Sequence, residues 1–210
     1  MVSMSPRAQA KRQQITAAAR QLFLAQGYAR TTTEAIARAG GVSKQTLYAY
    51  FPGKVELLAA IVEQELADLE PGQPDQVPPQ SLAELRRRLL GVAGAVTGRL
   101  LNADALALLR LLIGEAMHLP ELRGLLRQAF PARILSTAER LLAAADHAGL
   151  IHAPSPELSA RMFIGPVMSF IALDGLFSNT LPTPPDSATL ARLVDLFLLT
   201  VAPGSEQADG

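Results

Sequence analysis

Lys44, Gln45 and Tyr48 stand within five positions of one another and combine a charge, an amide and a phenol. A lysine ammonium suits phosphate. A glutamine amide can bond the edge of a base. A tyrosine offers its hydroxyl to phosphate and its ring to a thymine methyl. Such groups work together only when one element presents them on one side. Leu47 and Phe51 lie four apart, so on a short helix both face the same core as Ile36 and Val42, while Lys44, Gln45, Tyr48 and Ala49 turn outward. The first turn of that helix adds N–H groups and a dipole that favour phosphate. The chemistry assembled here is recognition of a duplex nucleic acid. A small helical subdomain with solvated basic residues would show the same pattern, so the spacing alone leaves both readings open.

The elements that must hold this surface follow from helical period. Ile15, Ala18, Ala19, Leu22 and Phe23 form one apolar stripe, and Gly27 stops it. Thr31 to Thr33 offer N-cap hydroxyls before a short helix carrying Ile36 and Ala37. Thr31 with Glu34 has capping-box spacing, and Thr32 is an equal choice of cap. Gly40-Gly41 is a turn, Ser43 caps a helix over 44–51, and Pro52-Gly53 breaks it. Two short helices joined by that turn make a helix-turn-helix.

A longer helix is predicted over 54–69, with Leu58, Val62, Leu66 and Leu69 on one side, and the Pro-rich run 71–79 reads as a loop. Ser81 and Glu84 form a capping box for a helix reaching about Leu101. Helices then follow over 104–118, over 121–148 with a kink or split at Pro131, over 156–177 and over 186–201. No strand-like alternation and no internal repeat appears. The fold class is all-α, with about nine helices.

Charge separates the chain into two parts. Residues 1–62 carry eight cations (Arg7, Lys11, Arg12, Arg20, Arg30, Arg38, Lys44 and Lys54) against Glu34 and Glu56, a balance of +6. Of 19 cations and 19 anions in all, the remaining 11 and 17 leave −6. A basic head on an acidic body fits one part that meets phosphates and another that does not.

The run Gly27-Tyr28, Thr31-Thr32, Ile36-Ala37, Gly41-Val42-Ser43-Lys44, Thr46-Leu47-Tyr48, Tyr50-Phe51 and Lys54 closely resembles the DNA-binding domain of the TetR family of transcriptional regulators. The resemblance implies that Thr33 bonds a phosphate, that Lys44, Gln45, Thr46, Tyr48 and Tyr50 lie on or beside the major groove, and that Lys54 holds a phosphate. Three positions depart from the family pattern. Gln45 stands where glycine is frequent, Gly53 where a capping Ser, Asp or Asn is frequent, and Gly40 where alanine is common, which loosens the turn slightly.

The C-terminal part is similar to the AefR-type domain of some TetR regulators. The similarity is carried by Leu111-Leu112-Ile113-Gly114-Glu115-Ala116, Leu119-Pro120-Glu121-Leu122 and the run from Pro156 to Gly165. It implies a domain that binds a small-molecule inducer and forms a dimer. The expected organisation is a helix-turn-helix domain at 1–53, a connecting helix at 54–70, a ligand-binding and dimerisation bundle at 71–202 and a disordered tail at 203–210. The segment 106–117 is apolar on nearly all sides, as in a central helix. Arg110, Glu115 and His118 on it either pair with neighbouring helices or line a cavity. Gly114 and Met117 accompany them, and Gly114→Phe would fill such a cavity. Phe163, Met168 and Phe170 suit either a flexible pocket wall or the core. Asp174 bonds across a dimer or caps a turn. Small residues Gly165, Ala172 and Gly175, with Leu190, Val194, Phe197 and Leu198, suit a dimer interface through the last two helices.

Other functions find little support. No cysteine is present, which excludes disulfides, thiolate catalysis and Cys-based zinc sites. No nucleophile elbow or P-loop occurs, so no enzyme activity and no cofactor are expected. His118, His147 and His152 form no metal-ligand pattern, and Arg86-Arg87-Arg88 reads as a solvated or salt-bridged face. No signal peptide is visible. The charge-free stretch 162–173 is too short for a bilayer, so a cytoplasmic protein without membrane contact is expected. The expected function is a repressor that grips a palindromic operator as a homodimer and is released by a small hydrophobic effector. The alternative is a DNA-binding protein of the same fold with a chromosome-organising role and no effector.

Overall fold

The computed structural model describes residues 5–67 and 77–203. Leu69 of the predicted connecting helix, residues 71–76 of the predicted loop and residues 204–210 of the predicted tail lie outside them. Among the described residues the chain is helical throughout, with nine α-helices and one π-helical turn. It divides into two compact units. One holds residues up to 67 together with 107–129, and the other holds 68–106 together with 130–210.

The first unit begins with α1, Pro6–Gln26, capped by Ser5, whose hydroxyl accepts from the Ala8 N–H at 3.3 Å. Its stripe of Ile15, Ala18, Ala19 and Phe23 is buried. Thr32, not Thr31, caps α2, Thr33–Ala39, by accepting from the Ala35 N–H at 3.1 Å. Thr31 is buried instead and donates to the Gly27 carbonyl at 2.8 Å. Ser43 caps α3, Lys44–Tyr50, accepting from the Thr46 N–H at 3.0 Å. Leu47 and Phe51 are buried as their spacing predicts, and the Arg12 guanidinium lies 5.3 Å from the Phe51 ring centre. α4, Lys54–Ala67, packs on α1 and buries Leu57, Leu58, Ile61 and Val62.

The bend between α2 and α3 depends on Gly41, which sits at φ +57° while the Val42 N–H closes on the Ala37 carbonyl at 2.9 Å. A β-branched side chain there is strained. Gly41→Val is expected to lower stability by about 1–3 kcal/mol, read as a fall in melting temperature. An unchanged melt would show that the turn relaxes without the left-handed residue.

In the second unit, α5, Leu82–Leu100, opens with the predicted capping box in a shifted form. Ser81 accepts from the Glu84 N–H at 3.2 Å, but the Glu84 carboxylate reaches the Gln80 N–H at 2.8 Å. The other helices are α6, Ala103–Ala116, α7, Pro120–His147, α8, Pro156–Phe170, and α9, Ser187–Thr200. α7 is not split at Pro131. One missing N–H in a 28-residue helix leaves the rest of its ladder to hold it. The predicted helix over 156–177 is α8 followed by a π-helical turn, Ile171–Leu176. In that turn Gly175 is buried so tightly that a Cβ would stand 2.8 Å from Leu106 Cδ2 and 2.9 Å from Leu101 Cδ2. The combined span Pro156–Leu176 is long and apolar enough, by length and composition, to cross a membrane. The stretch 162–173 is too short for that by itself; the residues on either side add the length, and α8 packs on α5 and α9 as a core helix does.

α5 packs on α8 and α9. Leu85, Leu89, Val96 and Leu100 form its buried spine, the Phe163 and Phe197 rings meet at 5.2 Å, and Arg86 Nη2 donates to Asp195 at 2.9 Å. Hydrogen bonding to Arg86 holds the Asp195 carboxyl below the usual range. This pairing also accounts for one member of the Arg86-Arg87-Arg88 run. Arg88 pairs with Glu84 one turn earlier.

Candidate nucleic-acid interface

α3 presents Lys44, Gln45 and Tyr48 exposed, as the spacing of Leu47 and Phe51 requires. The structure joins Lys44 and Tyr48 to α2. The Lys44 ammonium pairs with the Glu34 carboxylate, and Lys44 Nζ lies 5.8 Å from the Tyr48 ring centre. Tyr48 Oη shares a 3.1 Å hydrogen bond with Thr33 Oγ1. The bond from Lys44 pulls the Glu34 carboxyl below its ordinary range, and the same bond lifts the Lys44 ammonium above its own. Both groups are therefore charged at neutral pH.

Thr46 is half-buried, and its hydroxyl shares a 2.8 Å hydrogen bond with Ser43 at the cap. Tyr50 is half-buried. Lys54 is engaged within the head. Its ammonium donates to the Tyr28 carbonyl at 2.9 Å and lies 4.4 Å from the Tyr28 ring centre. Tyr28 is buried against Phe23, and burial first, then Glu115, Glu56 and Glu121, pushes its phenol up. Glu34 was seen in the sequence only as a capping partner. The one available signal was that no other carboxylate occurs in residues 1–53.

The residues expected to meet a ligand are scattered. Arg110, Gly114, Met117 and His118 are exposed, Met117 at 71%, and Ile113 is exposed with them, so α6 is not apolar and buried on all sides. Polar groups on its open face need no cavity to receive them. A Cβ at Gly114 would meet nothing within 4 Å, so Gly114→Phe would not fill a cavity. Glu115, Met168 and Phe170 are half-buried. Phe163 has no exposed surface and packs on Phe197.

The stripe Leu190, Val194 and Phe197, expected at an interface between subunits, is buried in the chain's own core. The outward face is a different set. Leu158, Met162, Leu196 and Leu199 are exposed, the last two at 58% and 73%. Between α8 and α9 runs a groove of about 460 Å³, walled by Met162, Pro166, Leu193, Leu196, Phe197 and Thr200. Asp174 is exposed on the π-helical turn.

Residues 15–61 match the family of bacterial regulatory proteins called tetR, and residues 87–200 match the C-terminal domain of AefR-like transcriptional repressors. The chain belongs to the TetR family. Both resemblances drawn from the sequence are thereby met, and a chromosome-organising role without an effector is not favoured. This TetR-family chain is 39% identical over 84 residues to the HTH-type transcriptional regulator TcmR of Streptomyces glaucescens. That match spans 38% of this chain and only 37% of TcmR. Among solved structures it is similar to the flavonoid-responsive regulator FrrA, with 28% identity, coverage of 94% of this chain and 100% of that one, and a TM-score of 0.73. A TetR transcriptional regulator from Agrobacterium tumefaciens is also 28% identical, with coverage of 94% and 95% and a TM-score of 0.73.

Proposed function

We propose that this protein is a cytoplasmic repressor that grips a palindromic operator as a homodimer and releases it when a small apolar effector binds its C-terminal helices. The observation that carries this is the exposed Lys44, Gln45 and Tyr48 face of α3, on a helix-turn-helix that the same chain joins to an AefR-like repressor domain. Thr33 supplies a hydroxyl for phosphate, Tyr48 a hydroxyl for phosphate and a ring for a thymine methyl, Gln45 reads base edges, and Lys44 supplies charge. Thr46 and Tyr50 flank the contact. Lys54 offers phosphate the charge it now holds against Tyr28. Selection of duplexes from a randomised pool tests this. Enrichment of a palindrome with half-sites about one helical turn apart is the expected result, and enrichment of no sequence would overturn it.

Two half-sites need two heads held together, and the exposed apolar face of α8 and α9 supplies the area. Leu196→Glu with Leu199→Glu is expected to weaken the dimer. Burying each leucine contributes about 1.5–3 kcal/mol and a two-fold interface holds the pair from both subunits, so roughly four orders of magnitude or more in affinity are lost. Light scattering showing an intact dimer in the double variant would place the interface elsewhere.

Half-buried Met168 and Phe170 are the residues of the expected ligand set that suit a pocket wall. FrrA, a relative of similar length, is flavonoid-responsive, which supports a compact ring-bearing molecule as the effector class. Reversing a 99:1 balance between DNA-competent and incompetent conformers takes roughly 5 kcal/mol. An apolar molecule burying roughly 200 Å² more in one conformer gains about that much. A flavonoid panel screened by thermal shift and then by operator release tests the switch. Compounds that stabilise the protein without ever loosening the operator would overturn it.

A further inference from the structure

Glu34 is the one carboxylate in the first 53 residues, and it stands on the face that α3 presents. Its carboxylate holds the Lys44 ammonium and accepts from Thr33 Oγ1 at 3.3 Å. Thr33 Oγ1 is bonded in turn to Tyr48 Oη at 3.1 Å. The side chains of Lys44 and Glu34 are 53% and 52% exposed, and an ion pair so placed contributes little to folding. Thr32, not Glu34, caps α2. A carboxylate in the first turn of α2 favours that helix, which accounts for an acid at this position but not for its hold on Lys44.

We propose that Glu34 is a specificity-determining residue of the DNA-reading face: it positions Lys44 and, through Thr33, Tyr48, while cancelling a charge that would otherwise attract any phosphate backbone. This rests on the reading of α3 as the DNA-contacting helix. Sequence-independent binding comes almost wholly from cations that displace counterions from phosphates. A lysine held by a carboxylate displaces none until the pair opens, and the carboxylate is itself repelled by the backbone. On mixed sequence nothing offsets opening the pair. On the operator, Gln45 and Tyr48 gain base edges, and Lys44 exchanges one oriented acceptor for another. The acid thus penalises wrong DNA more than right DNA.

The test uses the full chain, a mixed-sequence duplex and the tightest duplex that the wild type enriches from a randomised pool, titrated over a salt series. Glu34→Gln keeps the shape and removes the charge. It is expected to bind the mixed-sequence duplex about three- to tenfold tighter, with a salt dependence steeper by about one phosphate per head. The selected duplex should gain less, so that discrimination falls. In a Lys44→Gln background the same substitution should still relieve the repulsion between Glu34 and the backbone, but alike on both duplexes, because Glu34 discriminates through Lys44. Glu63→Gln, an exposed charge on α4, should change neither duplex. Three results would overturn the role of Glu34: equal gains on both duplexes, an undiminished loss of discrimination without Lys44, or the same gain from Glu63→Gln. If Tyr48→Ala also leaves the selected duplex bound at full strength, the reading of α3 itself fails. If Tyr48→Ala loses binding while Glu34→Gln leaves discrimination intact, only the role of Glu34 fails.

Discussion

Tyr48→Ala is expected to abolish operator binding at concentrations that saturate the wild type. The side chain is 43% exposed and makes no contribution to the core, so the fold should survive its removal. What is lost is a phenol bonded to Thr33 and a ring beside Lys44, both on the outward face. A specific base contact contributes about 1–3 kcal/mol of discrimination. A dimer loses it twice, so affinity should fall by roughly two to four orders of magnitude. Lys44→Ala should differ in kind. It removes a charge and leaves the Glu34 carboxylate on the face without its cation, so it should weaken binding to every sequence by repulsion and, on the operator where the pair opens, make the salt dependence shallower by about one phosphate per head. Mobility shift over a salt series, with circular dichroism to confirm helicity, separates the two. Wild-type binding by Tyr48→Ala would remove α3 from the DNA.

The second large effect concerns stability. Phe163 has no exposed surface and meets Phe197 at 5.2 Å between ring centres. Truncating such a ring loses its burial and leaves a cavity that the neighbouring helices close only in part. Phe163→Ala is expected to cost about 3–5 kcal/mol. For a chain of this size that is a fall in melting temperature of roughly 6–20 °C. Arg161→Ala, two positions earlier on the exposed side of α8, removes only a solvent-exposed pair with Glu157 and should cost about 0.3–0.5 kcal/mol. A wild-type melt for Phe163→Ala would mean that the ring borders empty space, as a pocket wall would, and not the packed core.

Much of this architecture was legible in the residues because it is local. The stripe Ile15, Ala18, Ala19 and Phe23, the caps at Ser43 and Ser81, and the turn at Gly40-Gly41 each depend on neighbours within one or two helical turns. A 3.6-residue period and a capping hydroxyl carry their meaning wherever they occur. The outward face of α3 followed the same way, since Leu47 and Phe51 settle which side remains for Lys44, Gln45 and Tyr48.

Only the tertiary structure decided matters that join distant positions or choose between equivalent faces. Lys44 meets Glu34 ten residues away, and Lys54 meets Tyr28 twenty-six residues away; no period links either pair. The Leu190, Val194 and Phe197 stripe faces the chain's own core, while Leu196 and Leu199 face outward. Both sets are leucine-like on one helix, and burial against one's own subunit or against a partner asks for the same chemistry. The apolar run of α6 left Arg110 and His118 either paired with neighbouring helices or lining a cavity, and they lie on its exposed side. A helix's composition states how much apolar surface it has; which neighbours cover that surface is set by packing, and packing placed Phe163 in the core and left Met117 in solvent.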